Sequence, residues 1–135
     1  MDKAAVILIV KDGLILGITR STFKFGIIGG KLDPNENPEQ AAIREAYKET
    51  GIKIISCVQI YERIEEAEFP DGLDFYTYSF YATQWEGEPK SSDEGEVSWL
   101  TKDQLLGPTG AFPDYNTHNL FALKEKFPKV YDSLK

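Results

Sequence analysis

Gly30–Ile52, GKLDPNENPEQAAIREAYKETGI, is the stretch on which the reading of this chain turns. A second glycine, Gly29, precedes it, and the pair predicts a sharp backbone turn out of a strand, because glycine has no Cβ to clash. Asn37 followed by Pro38 reads as a helix N-cap and first helical residue, and Gln40, three places after the cap, completes a capping box. The predicted helix runs from Pro38 to Thr50, with Gly51 as a left-handed stop. At about 100° per residue, Ile43, Ala46, Tyr47 and Thr50 fall on one side, expected to pack, and Glu45 and Glu49 lie together on the other. Two carboxylates four residues apart repel on a bare helix, so the arrangement gains from a cation between them. Hard oxygen ligands that leave room for water and phosphate suit Mg²⁺ or Mn²⁺.

The spacing from Gly30 through five residues to Glu36, then seven to Arg44-Glu45, and on to Glu49, Gly51 and Ile52 closely resembles the Nudix box. That box is the loop-helix signature of hydrolases that split nucleoside diphosphates linked to another group. The resemblance implies an α/β/α sandwich with a mixed β-sheet, an α/β (α+β) fold, and a structural clamp made by Glu36 and Arg44. One position departs from it, since Lys48 stands where the family has the first glutamate of a pair. Lys48 is three residues from Glu45. At about 5 Å and an effective dielectric near 20, one unit charge acts on another with roughly 3 kcal/mol, so Lys48 is expected to weaken metal binding at one subsite.

The rest of the chain has the size of one domain, residues 1–135, with 41% hydrophobic residues. Its formal charge of -7 argues against affinity for nucleic acid polymers. The one cysteine, Cys57, lies in an apolar run and reads as a buried structural thiol, which points to a reducing cytoplasm. The seven apolar residues from Ala4 to Val10 are too few to span a bilayer. Ala4 to Val10 and Leu14 to Thr19 read as strands joined by a hairpin at Lys11-Asp12-Gly13. Phe25 to Ile28 reads as a short strand delivering the glycines, and Ile52 to Arg63 as a strand. Phe69-Pro70-Asp71-Gly72 reads as a turn, and Leu73 to Trp85 as a central strand buried on both faces. Val97 to Leu100 is a strand, and Thr101 with Gln104 opens a helix.

Lys31 and Arg20 are candidate phosphate contacts, being cations beside a glycine-rich, metal-binding turn. The sequence WEGEP at Trp85–Pro89, followed by the acidic loop Asp93, Glu94, Glu96 and then a tryptophan, is similar to the MutT branch of the family. The likeness implies that a glutamate of this loop reaches the metal; Glu94 is the first choice, with Glu96 and Asp93 behind it. Gly30, Glu45, Glu49 and Glu94 are thus the candidate metal ligands, and Glu45, Glu49 and Glu94 the candidate catalytic residues. Phe112-Pro113-Asp114-Tyr115-Asn116 is the second likeness to that branch, and implies an asparagine beside a purine base. An amide donates and accepts at once, which suits a base edge. Asn116 has a competing reading as the N-cap of a final helix, Thr117 to Phe127, in which Leu120, Leu123 and Phe127 pack and His118 is a surface residue of the first turn.

The expected function is a Mg²⁺-dependent pyrophosphohydrolase that converts a nucleoside triphosphate, a purine deoxynucleotide or its oxidised form, to monophosphate and pyrophosphate. A nucleotide is the expected partner, with no membrane and no nucleic acid polymer. Two alternatives stand beside it. One is hydrolysis of another nucleoside diphosphate derivative such as ADP-ribose. The other is a catalytically impaired nucleotide-binding module, made so by Lys48.

Overall fold

The computed structural model describes residues 1–19, 23–66 and 73–135. Its elements are β1 (Asp2–Leu8), β2 (Val10–Lys11), β3 (Leu14–Thr19), β4 (Phe25–Lys31), α1 (Pro38–Thr50), β5 (Lys53–Glu65), β6 (Phe75–Glu86), β7 (Glu96–Leu100), α2 (Lys102–Leu106), α3 (Pro113–Lys126) and α4 (Pro128–Ser133). The strands form one sheet in the order β2-β3-β4-β1-β6-β5, with β7 on β3. The sheet is mixed, because β1 pairs parallel to β6 while the other pairs are antiparallel.

Helices cover both faces, as an α/β/α sandwich requires, and the alternation of β1 shows why its sequence is apolar at every position from Ala4 to Leu8. Ala5 and Ile7 pack with Ala41, Ala42 and Ala46 of α1, whereas Val6 and Leu8 pack with Leu105 of α2 and Leu120 and Leu123 of α3. A strand buried on both faces has no polar side to alternate with. β6 lies between β1 and β5, a central strand as expected. Among the described residues, no helix is long and apolar enough to cross a membrane.

Several local expectations hold. Asp12 and Gly13, with φ of 53° and 77°, make the tight turn between β2 and β3. α1 has the expected bounds, with both halves of the Asn37–Gln40 capping box and Gly51 left-handed at φ 77°. Thr101 and Gln104 likewise box the start of α2. The turn expected at Phe69-Pro70-Asp71-Gly72 lies outside the described residues, as does Arg20.

Three expectations change. β4 continues through Gly29 and Gly30 to Lys31, so the glycines lie within the strand and do not turn the chain out of it. Their value is close approach: a Cβ on Gly29 would overlap the Ala5 carbonyl oxygen, and one on Gly30 would stand 2.8 Å from the carboxyl carbon of Glu45. The helix expected over Thr117 to Phe127 begins at Pro113, with Phe112 as its N-cap residue, so Asn116 is inside α3 and caps nothing, and α4 follows it as the last helix. Proline at the first helical position explains the earlier start, since its fixed φ suits the helix and its missing N–H is not needed there. The faces of α1 are also rotated from those expected. Ala41, Ala42, Glu45, Ala46, Glu49 and Thr50 are the buried residues, while Tyr47 is 66% exposed. The alanines define the inward arc because their size lets the helix backbone come close to the sheet. Glu45 and Glu49 point inward with them.

Candidate active site

α1 lies close enough to β4 for its two inward carboxylates to reach the glycine pair. The Gly29 N–H donates to Glu49 Oε1 at 2.8 Å, and Glu49 is fully buried. Glu45 lies against Gly30, whose absent side chain provides the room for it. A carboxylate so far from water requires hydrogen-bonding or charged partners.

Arg44 supplies much of that compensation. Its Nη1 donates to Glu45 Oε1 at 2.6 Å, its Nε to Glu36 Oε2 at 2.7 Å and its Nη2 to Glu36 Oε1 at 3.0 Å. The two bonds to Glu36 form a planar fork, a geometry that lysine cannot reproduce. Nη2 also reaches the Lys31 carbonyl at 3.1 Å, and Glu36 Oε1 accepts from the Asp33 N–H at 2.9 Å. Glu36 and Arg44 therefore clamp the loop between β4 and α1 in place. The hydrogen bond from Arg44 holds the Glu36 carboxyl below its ordinary range, and the same bond raises Arg44 further above its own.

The acidic loop reaches the same helix from the other end. The Lys90 N–H donates to the Thr50 carbonyl at 2.8 Å, Ser92 Oγ donates to the Glu49 carbonyl at 3.1 Å, and the Glu94 N–H donates to Ser92 Oγ at 3.2 Å. Held this way, Glu94 Oε1 meets Lys48 Nζ at 3.3 Å. Asp93 and Glu96 are exposed. Of the three acidic-loop candidates, Glu94 is the one the structure brings to α1, and there it pairs with the lysine that breaks the box pattern. Among the described residues, no three His, Cys, Asp or Glu side chains are gathered as a formed metal centre.

Lys31 Nζ contacts Asp2 Oδ2 at 2.9 Å, with both side chains more than half exposed, and this contact lowers the Asp2 carboxyl. On the opposite face of the sheet, Asn116 is 1% exposed and its Nδ2 donates to the Leu105 carbonyl at 2.9 Å. It lines a cavity of about 90 Å³ walled by Ala4, Val6, Ile27, Phe75, Phe112 and Tyr115, together with the backbone of Gly26, Gly29 and Gly30. The glycine pair thus joins the two halves of the site: Glu45 and Glu49 touch it from α1, and the Asn116 cavity reaches it from α3.

Other polar groups near this cavity escape a reading of the sequence. Tyr115 and Thr77 share a hydrogen bond, Ser79 donates to Asn119 Oδ1, and all four residues are buried. His118 is half-buried and not a plain surface residue, with Nδ1 at 2.8 and 2.9 Å from the two oxygens of buried Glu65. Partners separated by 38 to 53 residues give no local signal.

Comparison with known proteins agrees with this arrangement. The chain matches the NUDIX domain over residues 1–121 and belongs to that family. Over 108 residues, 74% of this chain and 66% of the relative, it is 33% identical to an oxidized purine nucleoside triphosphate hydrolase from Danio rerio. Over 89 residues, 65% of this chain and 61% of the relative, it is 36% identical to an 8-oxo-dGTP diphosphatase from Haemophilus influenzae. The matches thus span a little under two thirds of these curated relatives. In fold, the chain superposes on the MutT NUDIX hydrolase from Burkholderia pseudomallei with a TM-score of 0.72 at 24% identity, covering 87% of this chain and 96% of that one. The chain is a MutT-like member of this family.

Proposed function

We propose that residues 1–135 act as one Nudix domain, a divalent-cation-dependent pyrophosphohydrolase that converts a purine deoxynucleoside triphosphate, including oxidised forms, to the monophosphate and pyrophosphate. The observation that carries this reading is the shared glycine pair, which has the Glu45 and Glu49 carboxylates against it on one side and the Asn116 cavity on the other. The names of the relatives from Danio rerio and Haemophilus influenzae support the substrate class.

The donor set fits Mg²⁺ or Mn²⁺. Glu45 and Glu49 are buried carboxylates side by side on α1, and the Gly30 backbone lies against Glu45, a set of hard oxygens suited to such ions. A bound ion supplies charge neutralisation and lowers the pKa of water. The chain's own residues do the rest. Lys31, exposed beside the box, exchanges Asp2 for substrate phosphate. Glu49 or Glu94 accepts the proton of the attacking water: Glu49 is fixed by the Gly29 N–H, and Glu94 is partly exposed beside Lys48. Asn116 keeps Oδ1 and one Nδ2 hydrogen for a base edge after its bond to Leu105. Arg20, a cation ahead of the glycine-bearing strand in the sequence, is the second phosphate contact.

The net charge of -7 supports a nucleotide partner and not a nucleic acid polymer. The Cys57 thiol, pushed up to about 11 by burial, supports a structural cysteine in a reducing cytoplasm. A second reading has one observation in its favour: the Lys48–Glu94 pair occupies an acidic-loop carboxylate, as an impaired nucleotide-binding module would. Pyrophosphate release from a panel of nucleotides, ADP-ribose included, separates these readings. Metal-dependent release from purine deoxynucleotides supports the proposal, while nucleotide binding without any release refutes it.

A further inference from the structure

The face of β6 that meets α3 carries Phe75, Thr77, Ser79 and Tyr81. Two small hydroxyls in the middle of an aromatic face have no packing advantage over valine or alanine, yet both are completely buried. Opposite them, α3 presents Tyr115 and Asn119, four residues apart and so on one side of the helix. Thr77 pairs with Tyr115, Ser79 donates to Asn119 Oδ1, and Asn119 Nδ2 donates to the Tyr115 carbonyl at 3.0 Å.

The two pairs share one spacing. Residues two apart on a strand lie about 6.7 Å from each other, and residues four apart on a helix rise about 6 Å. Strand and helix therefore match at two successive points. Sliding α3 by a single residue would break both bonds and leave four buried polar groups unpaired. Apolar contact is non-directional and tolerates such a slide, whereas hydrogen bonds do not. Leu120 and Leu123 bury area without fixing register, the Asn116 bond ties α3 to Leu105 and the His118–Glu65 pair ties it to β5, and the two hydroxyl pairs are its bonds to β6. Burial pushes the Tyr115 hydroxyl up to about 12, so it stays protonated and its bond with Thr77 persists across the working range.

Tyr115 and Asn116 are consecutive, and both line the cavity beside the glycine pair. We propose that Thr77, Ser79 and Asn119 are positioning residues for base recognition: with Tyr115 they form a polar key that sets the register of α3 on β6, and thereby the place of the Asn116 amide in the cavity. This rests on the base-reading role given to Asn116 above. The key acts on the base and not on the phosphates, because Glu45, Glu49 and Lys31 are carried by α1 and β4.

Thr77→Val keeps shape and removes the hydroxyl. Its expected effect is a rise of about tenfold in KM for a purine deoxynucleoside triphosphate, with kcat held within about twofold. Binding of tripolyphosphate, which has no base, should be unchanged. Thr77→Ser should restore KM, and Ser79→Ala, which removes the other bond, should shift it the same way. Leu123→Ala is the comparison on the same helix: it should lower Tm without altering the preference for the purine nucleotide over tripolyphosphate. Dissociation constants for α,β-methylene-dGTP, measured across the same variants, give a readout that needs no turnover. If the wild-type protein hydrolyses nothing, the hydrolase reading fails while these constants still decide the role of Thr77. The proposal is overturned if Thr77→Val loses stability but keeps its base preference, if Leu123→Ala loses the preference equally, or if Thr77→Val and Ser79→Ala both fail to fold.

Discussion

Gly30→Ala puts the seating of Glu45 to a quantitative test. The new Cβ would stand 2.8 Å from the Glu45 carboxyl carbon and 3.0 Å from each of its oxygens, where ordinary contact begins at 3.4 Å. The carboxylate must therefore retreat by about 0.6 Å, on a scale where a misplacement of about 1 Å costs on the order of a hundredfold in rate. It cannot retreat alone, because Glu45 Oε1 is held at 2.6 Å by Arg44, which also grips Glu36 and the Lys31 carbonyl. The expected fall in kcat for pyrophosphate release at saturating metal is ten- to a hundredfold, on the order of 1.4–2.7 kcal/mol in barrier. Overpacking costs about 1–3 kcal/mol of stability, offset by roughly 0.4–1 kcal/mol from the reduced freedom of the unfolded chain. The variant should thus stay folded, with Tm lowered by only several degrees. Full activity in a folded Gly30→Ala protein would refute the claim that this glycine exists to seat Glu45.

Other outcomes follow from the same geometry. Lys48→Glu should raise hydrolysis at limiting Mg²⁺, and an unchanged metal dependence would show that position 48 has no influence on the ligand set. The Lys48–Glu94 pair is itself exposed, at 53% and 38%, so Lys48→Gln should change Tm by less than about 1 kcal/mol allows. Glu36 is held below its ordinary value of 4.5 by Arg44, so its contribution to stability is present above 4.5 and lost as pH falls through the lowered value. Glu36→Gln should flatten the acid side of the pH–stability curve, as urea titrations between pH 3 and pH 7 would reveal. Asn116→Leu should narrow the rate difference between purine and pyrimidine deoxynucleotides, measured as a ratio of kcat/KM.

The elements most legible in the sequence were those with local chemistry. α1 announced itself through Asn37, Pro38, Gln40 and Gly51, each a backbone signal confined to one end of the helix. Its orientation was harder to read, because the bulk of Ile43 and Tyr47 suggested a packed face, whereas Ala41, Ala42 and Ala46 form the buried one. Small residues carry little hydrophobic signal yet decide how close a helix comes to a sheet. The glycine pair was recognised, but only the position of Glu45 behind it shows that closeness, and not a turn, is what it provides. The start of α3 is hard to read because Asn116 is a good cap residue and Phe112 is not, while Pro113 fixes the start through its backbone. Thr77 and Ser79 were invisible in an aromatic strand, since their partners Tyr115 and Asn119 are far away in sequence. For the same reason, Glu65 gave no hint of His118.

The most direct test of the proposed function is pyrophosphate release from purine deoxynucleoside triphosphates, with Mg²⁺ or Mn²⁺ and after chelation, in the wild-type protein and in Glu49→Gln. The account predicts release that requires the cation and that falls by at least about a hundredfold in the variant. Cation-independent release, or a Glu49→Gln protein as active as the wild type, would contradict it.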